Sequence, residues 1–173
     1  MTITGRPETR DGEDHLVLER TFPAPVEDVW AAVTESDRLA RWFGSWTGDP
    51  STGEVEVAWG FEDDLGSEIY VIDACEPPHH LRLHNRDDDP AQVWTLDLRF
   101  RAQGSGTVLE FAQVMGPHLP VTDVGPGWEY YLDRLVDSVR TGEVSTVGWD
   151  GYLELAPEYA AAFGVEVEES PAG

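Results

Sequence analysis

A chain of 173 residues with 40% hydrophobic and 10% aromatic content has the make-up and length of one folded domain, which excludes a disordered polymer. It carries 34 acidic residues against 11 basic ones, all arginine, and a net charge of −23 argues against nucleic acid or a membrane surface as partner. One cysteine, Cys75, precludes an intrachain disulfide, no run approaches the about 18 apolar residues of a membrane span, and polar residues 1–14 lack a secretion-signal core, which sets a cytoplasmic expectation.

Residues 1–14 read as a flexible N-terminus. His15 to Phe22 then reads as a strand, with Leu16, Leu18, Arg20 and Phe22 on one side. Pro23 and Pro25 stop it, and Pro25 suits the first turn of a helix in which Val26, Val29, Trp30 and Val33 recur at helical spacing. Ser36 or Asp37 caps a second short helix carrying Leu39, Trp42 and Phe43, and Gly44 ends it.

Four or five strands follow. Gly53 to Gly60 alternates, with Val55, Val57 and Trp59 on the apolar side. Ser67 to Cys75 is apolar on both faces, so its orientation is open. Glu76-Pro77-Pro78 breaks it, and Leu81 and Leu83 face inward in the next strand. Val93 to Phe100 presents Trp94, Leu96, Leu98 and Phe100, and the last strand presents Leu109, Phe111, Gln113 and Met115. Short strands with no helices between them predict an antiparallel meander. After the Pro- and Gly-rich stretch 116–127, Trp128, Tyr131, Leu132, Leu135, Val136 and Val139 mark a long amphipathic helix, with Glu129, Asp133, Arg134 and Asp137 on its other face. Its apolar stripe belongs across the concave face of the sheet. Trp149 to Phe163 reads as partly helical. The single domain spans 15–163, and 164–173 reads as a flexible tail.

The stretch Phe22-Pro23-Ala24-Pro25-Val26-Glu27-Asp28-Val29-Trp30-Ala31-Ala32-Val33-Thr34, with Leu39, Trp42 and Phe43 after it, resembles the opening of the activator-of-heat-shock-protein-90-ATPase homologue family. Glu76-Pro77-Pro78-His79-His80-Leu81, Gly106-Thr107 and Gly127-Trp128-Glu129-Tyr130-Tyr131-Leu132-Asp133-Arg134-Leu135 resemble later family segments in the right order. The family belongs to the START/polyketide-cyclase (SRPBCC, helix-grip) superfamily. The resemblance implies an α+β helix-grip fold: a curved antiparallel sheet around a long C-terminal helix, with two short helices after the first strand closing a cavity. The family's eukaryotic co-chaperones carry a further N-terminal domain; the 14 residues before the first strand set an expectation against that role.

Chemistry-bearing residues are sparse. His79 and His80 are neighbours and point to opposite faces of a strand, while His80 and His84 lie about 13 Å apart, so no metal site is expected. Glu62-Asp63-Asp64 and Asp87-Asp88-Asp89 read as solvated turns, and Cys75 as a buried structural thiol. No phosphate loop, nucleophile elbow or dinucleotide fingerprint is present, and no cofactor is expected. Gln113 stands out as an amide between Phe111 and Met115 on the cavity face, and a buried amide needs a partner. Tyr131 has a hydroxyl in the same space.

These residues point to a protein binding a small, largely apolar ligand (lipid, polyketide or aromatic metabolite). The pocket would be lined by Trp59, Trp94, Phe111, Met115, Trp128, Tyr131, Leu132 and Leu135, with Gln113 as polar anchor. The alternatives are an aromatase/cyclase-type enzyme using the same cavity, with Tyr131 or a pocket carboxylate moving protons, and a chaperone-related or regulatory interaction module without a ligand. A homodimer is compatible with each.

Overall fold

The computed structural model describes residues 1–60 and 66–166. Among them eight strands form one antiparallel sheet: β1 (Arg6–Arg10), β2 (Glu13–Phe22), β3 (Gly44–Thr47), β4 (Glu54–Trp59), β5 (Ser67–Glu76), β6 (His80–Asn85), β7 (Thr95–Gln103) and β8 (Gly106–Val114). They lie in the order β1-β2-β8-β7-β6-β5-β4-β3. The meander from β4 to β8 is the predicted one, and β3, which the sequence reading did not place, extends it by one strand. The chain reaches its far edge through α1 (Val26–Thr34) and α2 (Ser36–Leu39), and a bulge between Ile72 and Ala74 bends β5. The long helix α3 (Val121–Thr141) lies against the concave face, and α4 (Ala156–Phe163) folds back over it. This is the helix-grip fold.

Cross-strand partners in an antiparallel sheet share a face, so register orients what alternation left open. Leu16 and Leu96 flank Gln113, and Leu18 and Leu98 flank Phe111, which places all of them on the concave face. In β5, Glu68 opposes Val57 and Tyr70 opposes Val55. Glu68, Tyr70 and Ile72 therefore face the interior.

Four expectations are corrected. Residues 1–14 are not a flexible leader: Arg6–Arg10 pairs with β2 as the edge strand, and Thr4 and Gly5 donate to a buried carboxylate of α3. The two short helices follow the second strand, and α2 ends at Leu39, so Trp42 and Phe43 reach the core from a turn before β3. The long helix starts at Val121, seven residues before Trp128, and runs through Gly125-Pro126-Gly127. A proline there removes a helix hydrogen bond. Tertiary packing outweighs that loss, because a Cβ at Gly125 would stand 2.7 Å from the Tyr159 ring, so the glycine is what lets α4 dock.

The polar face of α3 is also not solvent-facing throughout. Glu129 is 2% exposed and accepts hydrogen bonds from Thr4 N (2.6 Å), Thr4 Oγ1 (2.8 Å), Gly5 N (3.1 Å), Arg20 Nη2 (2.7 Å) and Tyr159 OH (2.6 Å). Arg134 donates to the carbonyls of Trp42 and Val147. A buried charge is tolerated only with this degree of satisfaction. The described part of the expected C-terminal tail begins with Gly164, which caps α4 at positive φ, and residues 167–173 lie outside the described residues, as does the Glu62-Asp63-Asp64 cluster.

Candidate functional site: two cavities sharing Trp128

Two helices are clipped over the open end of the sheet, α1 by two indole nitrogens and α2 by a serine hydroxyl. Trp42 Nε1 donates to Ala32 O and Trp46 Nε1 to Thr34 O, both at 2.9 Å, while Ser36 Oγ bridges the Trp46 backbone. Beneath them lies an inner cavity of about 270 Å³ with almost entirely apolar walls, among them Trp30, Val33, Ile72, Leu83, Leu98 and Phe111. A second, outer cavity of about 790 Å³ opens between the first turns of α3 and the ends of β4 to β6. Aromatic rings dominate it (Trp59, Trp94, Tyr130, Tyr131 and Trp149), and Glu68, Asp87 and Asp123 add carboxylates.

Trp128 borders both cavities. Its ring packs 4.3 Å from Phe111 and lies stacked 6.0 Å from Phe43, and its Nε1 donates to Gln113 Oε1 at 2.6 Å. An indole only donates, so Gln113 must turn its oxygen to Trp128, which leaves the amide nitrogen, fully buried, without a hydrogen bond.

The residues named from the sequence divide between these features. Trp59, Trp94, Trp128 and Tyr131 meet around the outer cavity, and Phe111 joins Trp128 on the inner one. Gln113 borders neither and holds Trp128 instead. Leu132 and Leu135, 1% and 0% exposed, are packed in the core away from both cavities, and Met115 is half-buried at the end of β8. The helix turns its Trp128 and Tyr131 edge to the cavities, so the leucines of the same stripe meet solid core. Cys75 is exposed, not buried: it sits where β5 leaves the sheet, at the rim of the inner cavity.

Sequence reasoning missed Trp30, Phe43 and Trp46 as cavity residues because they arrive from α1, from the turn after α2 and from the short strand β3. It missed Trp149 because the last segment shows no clear period. Glu68 and Tyr70 were legible only once β5 could be oriented. Tyr70 is 3% exposed on the inner cavity wall; burial first, and the charge of Glu68 second, push its phenol well above the ordinary range. The histidines are engaged elsewhere. His80 Nε2 lies 3.2 Å from Asp97, which also accepts from Arg82 and forms an ion pair with Arg99, and His84 pairs with Asp73 at 2.7 Å.

Residues 23–140 match the family described as Activator of Hsp90 ATPase homolog 1-like protein. No curated protein sequence matches the chain. Among solved structures, CalU16 from Micromonospora echinospora is 26% identical, with a TM-score of 0.71 over 92% of this chain and 96% of its own. DynU16, described as a protein in the dynemicin biosynthetic locus, is 25% identical with a TM-score of 0.66; the match takes in 76% of this chain and 49% of DynU16. A protein from Enterococcus faecalis, EF2215, shares the fold at 17% identity and a TM-score of 0.70 over 94% of this chain and 92% of its own.

Proposed function

The chain belongs to the Activator of Hsp90 ATPase homolog 1-like family, and we propose that it binds a small, largely apolar ligand in the space between sheet and helices. One observation carries this: the interior of the grip holds a cavity of about 270 Å³ with almost entirely apolar walls, sharing Trp128 with a wider aromatic one. Well-packed cores leave few voids larger than a water molecule. Concave apolar sites of a few hundred Å³ with a few polar groups are where small molecules bind. The position of a similar protein in a biosynthetic locus fits a ligand that is a biosynthetic product or intermediate. Among the described residues no helix is long and apolar enough to cross a membrane.

Native mass spectrometry of the protein purified from its own host tests the proposal. The expected result is a mass excess that disappears on denaturation. A bare protein, together with no quenching of tryptophan by apolar fluorescent probes, would remove it.

A second reading, an aromatase/cyclase-type enzyme, is favoured by the placement of Glu68 and Tyr70 two residues apart on the inner face of β5. Glu68 lines the outer cavity and Tyr70 the inner one, so a ligand reaching past Trp128 from one to the other would meet a carboxylate and a phenol, the groups proton transfer needs. If this reading holds, a bound ligand changes mass on incubation with the protein and stays unchanged with the Glu68→Gln variant. An unchanged ligand in both leaves binding alone.

A further inference from the structure

Tyr70 carries the most deeply buried hydroxyl on the walls of the inner cavity. It reaches the concave face opposite Val55 and Asn85, the residue is 3% exposed, and its hydroxyl, whose oxygen keeps some accessible surface, makes no hydrogen bond to any described residue. Most other polar groups on these walls are engaged: the Thr34 hydroxyl donates to Trp30 O, and the indoles of Trp42, Trp46 and Trp128 donate to Ala32 O, Thr34 O and Gln113 Oε1, while the half-buried Trp30 indole and the exposed Cys75 thiol at the rim are less deeply placed than Tyr70. Buried hydroxyls in native proteins are nearly always satisfied by protein, water or ligand. An apolar cavity is a poor place for water, which needs two to four polar partners.

The surroundings also fix what the hydroxyl can meet. Burial and the nearby Glu68 carboxylate keep it protonated, so it remains an O–H donor. Among the described residues no arginine or histidine borders the inner cavity, so an anionic ligand group would find no counter-charge, and beside Tyr70 it would meet the repulsion of Glu68, whose charge already acts on that phenol. A neutral acceptor meets neither obstacle.

Building on the ligand-binding reading above, we propose that Tyr70 is the specificity-determining residue of the inner cavity, donating its hydroxyl hydrogen to a neutral carbonyl oxygen of an otherwise apolar ligand, while carboxylates are refused. The ligand class is therefore an apolar ketone, ester or similar carbonyl compound, not a free fatty acid. Trp30, Ile72, Leu83 and Phe111 would enclose its hydrocarbon part.

Three probes of one shape test this by calorimetric or fluorescence titration: 2-acetylnaphthalene, 2-isopropenylnaphthalene and 2-naphthoate. The ketone is expected to bind about 5–10-fold more tightly than the hydrocarbon, the worth of one buried hydrogen bond, and the carboxylate most weakly of the three. In Tyr70→Phe the ketone should fall to the level of the hydrocarbon, whose own affinity stays within about twofold. Should that variant fail to fold, the carbonyl stretch of a ¹³C-labelled ketone bound to the wild-type protein gives the answer independently. A red shift relative to an alkane solution is expected, and an unshifted band overturns the proposal. Equal binding of ketone and hydrocarbon to the wild type overturns it while the ligand-binding reading stands, as does a ketone preference that survives Tyr70→Phe. If none of the three probes binds, the proposal for Tyr70 falls, and the ligand-binding reading falls with it only where native mass spectrometry also finds a bare protein.

Discussion

The indole nitrogen of Trp128 lies 2.6 Å from Oε1 of Gln113, so the ring that borders both cavities is tied to the last strand of the sheet. The bond links the long helix to the sheet at full burial, and the amide nitrogen beyond it goes unpaired. Two predictions about the interior follow from where the chain spends its polar atoms and where it leaves space.

Gln113→Met removes both the acceptor for Trp128 and the unpaired amide nitrogen. The first loss destabilises and the second relieves, so the net change should stay within about 1 kcal/mol. The pair itself should show coupling of about 1 kcal/mol in a double-mutant cycle with Trp128→Phe, measured by urea unfolding. Strict additivity of the two single changes would show that the bond contributes nothing to stability.

Leu132→Trp should destabilise by about 1–3 kcal/mol, because it forces volume into a residue already 1% exposed and walled by core. Leu83→Phe instead adds volume at the wall of the inner cavity, where space exists, and should cost less than about 1 kcal/mol. Melting temperatures of the two variants give the comparison. A Leu132→Trp protein that melts with the wild type would put free volume behind α3 where the structure has none.

Much of this architecture was legible in the sequence, and the failures have physical causes. Most strands from Glu54 to Val114 announced themselves because they bury one face and alternation records that directly, whereas β5, apolar on both faces, showed itself as a strand without giving its orientation. Edge strand β1 did not, since RPETR has no buried face to record; it is held by the backbone ladder and by Thr4 and Gly5 on Glu129. Periodicity found the apolar stripe of α3 but could not say which part meets space and which meets core: Trp128 and Tyr131 border the outer cavity, while Leu132 and Leu135 of the same stripe lie in the core. Gln113 was correctly singled out as a buried amide in need of a partner; that the partner is Trp128, fifteen residues away across the fold, depends on geometry no local pattern carries.

Raising sodium chloride from low concentration to about half-molar should raise the melting temperature. With a formal charge of −23, like-charge repulsion opposes the compact state, and screening acts beyond about 8–10 Å at near-physiological salt. Salt also weakens the exposed ion pairs, such as Arg38 with Glu35, but surface pairs of this kind are worth only about 0–1 kcal/mol each. Since 11 arginines cannot pair 34 carboxylates, the repulsive part should dominate. A melting temperature that falls with salt would place more of the stability in those ion pairs than in relief of repulsion.

Glu129 should make the stability depend on pH in a defined direction. Burial alone would raise its pKa, but the hydrogen bonds from Tyr159, from the backbone and hydroxyl of Thr4 and from Arg20 outweigh burial and hold the carboxyl below its ordinary range. The unfolded chain takes up this proton near the usual glutamate value of about 4.3, and the folded chain only at lower pH. Between those two values the unfolded state binds more protons, so stability rises with pH across that window. The contribution is complete above the unfolded value and is lost as pH falls through the folded one. Glu129→Gln keeps the size but turns an NH₂ group toward a nest of donors and leaves Arg20 with only Asp133 as counter-ion. It should cost about 3 kcal/mol near neutral pH, the usual result of breaking a buried ion pair on one side. Asp97, Asp137 and Glu8 are also held below their ordinary values and will keep part of the acid dependence, so the variant's curve should be shallower than the wild type's between about pH 5 and 3, not flat. Urea titrations across that range decide the matter: two curves that run parallel would mean that the tie from the N-terminal segment to α3 does not depend on the charge of Glu129.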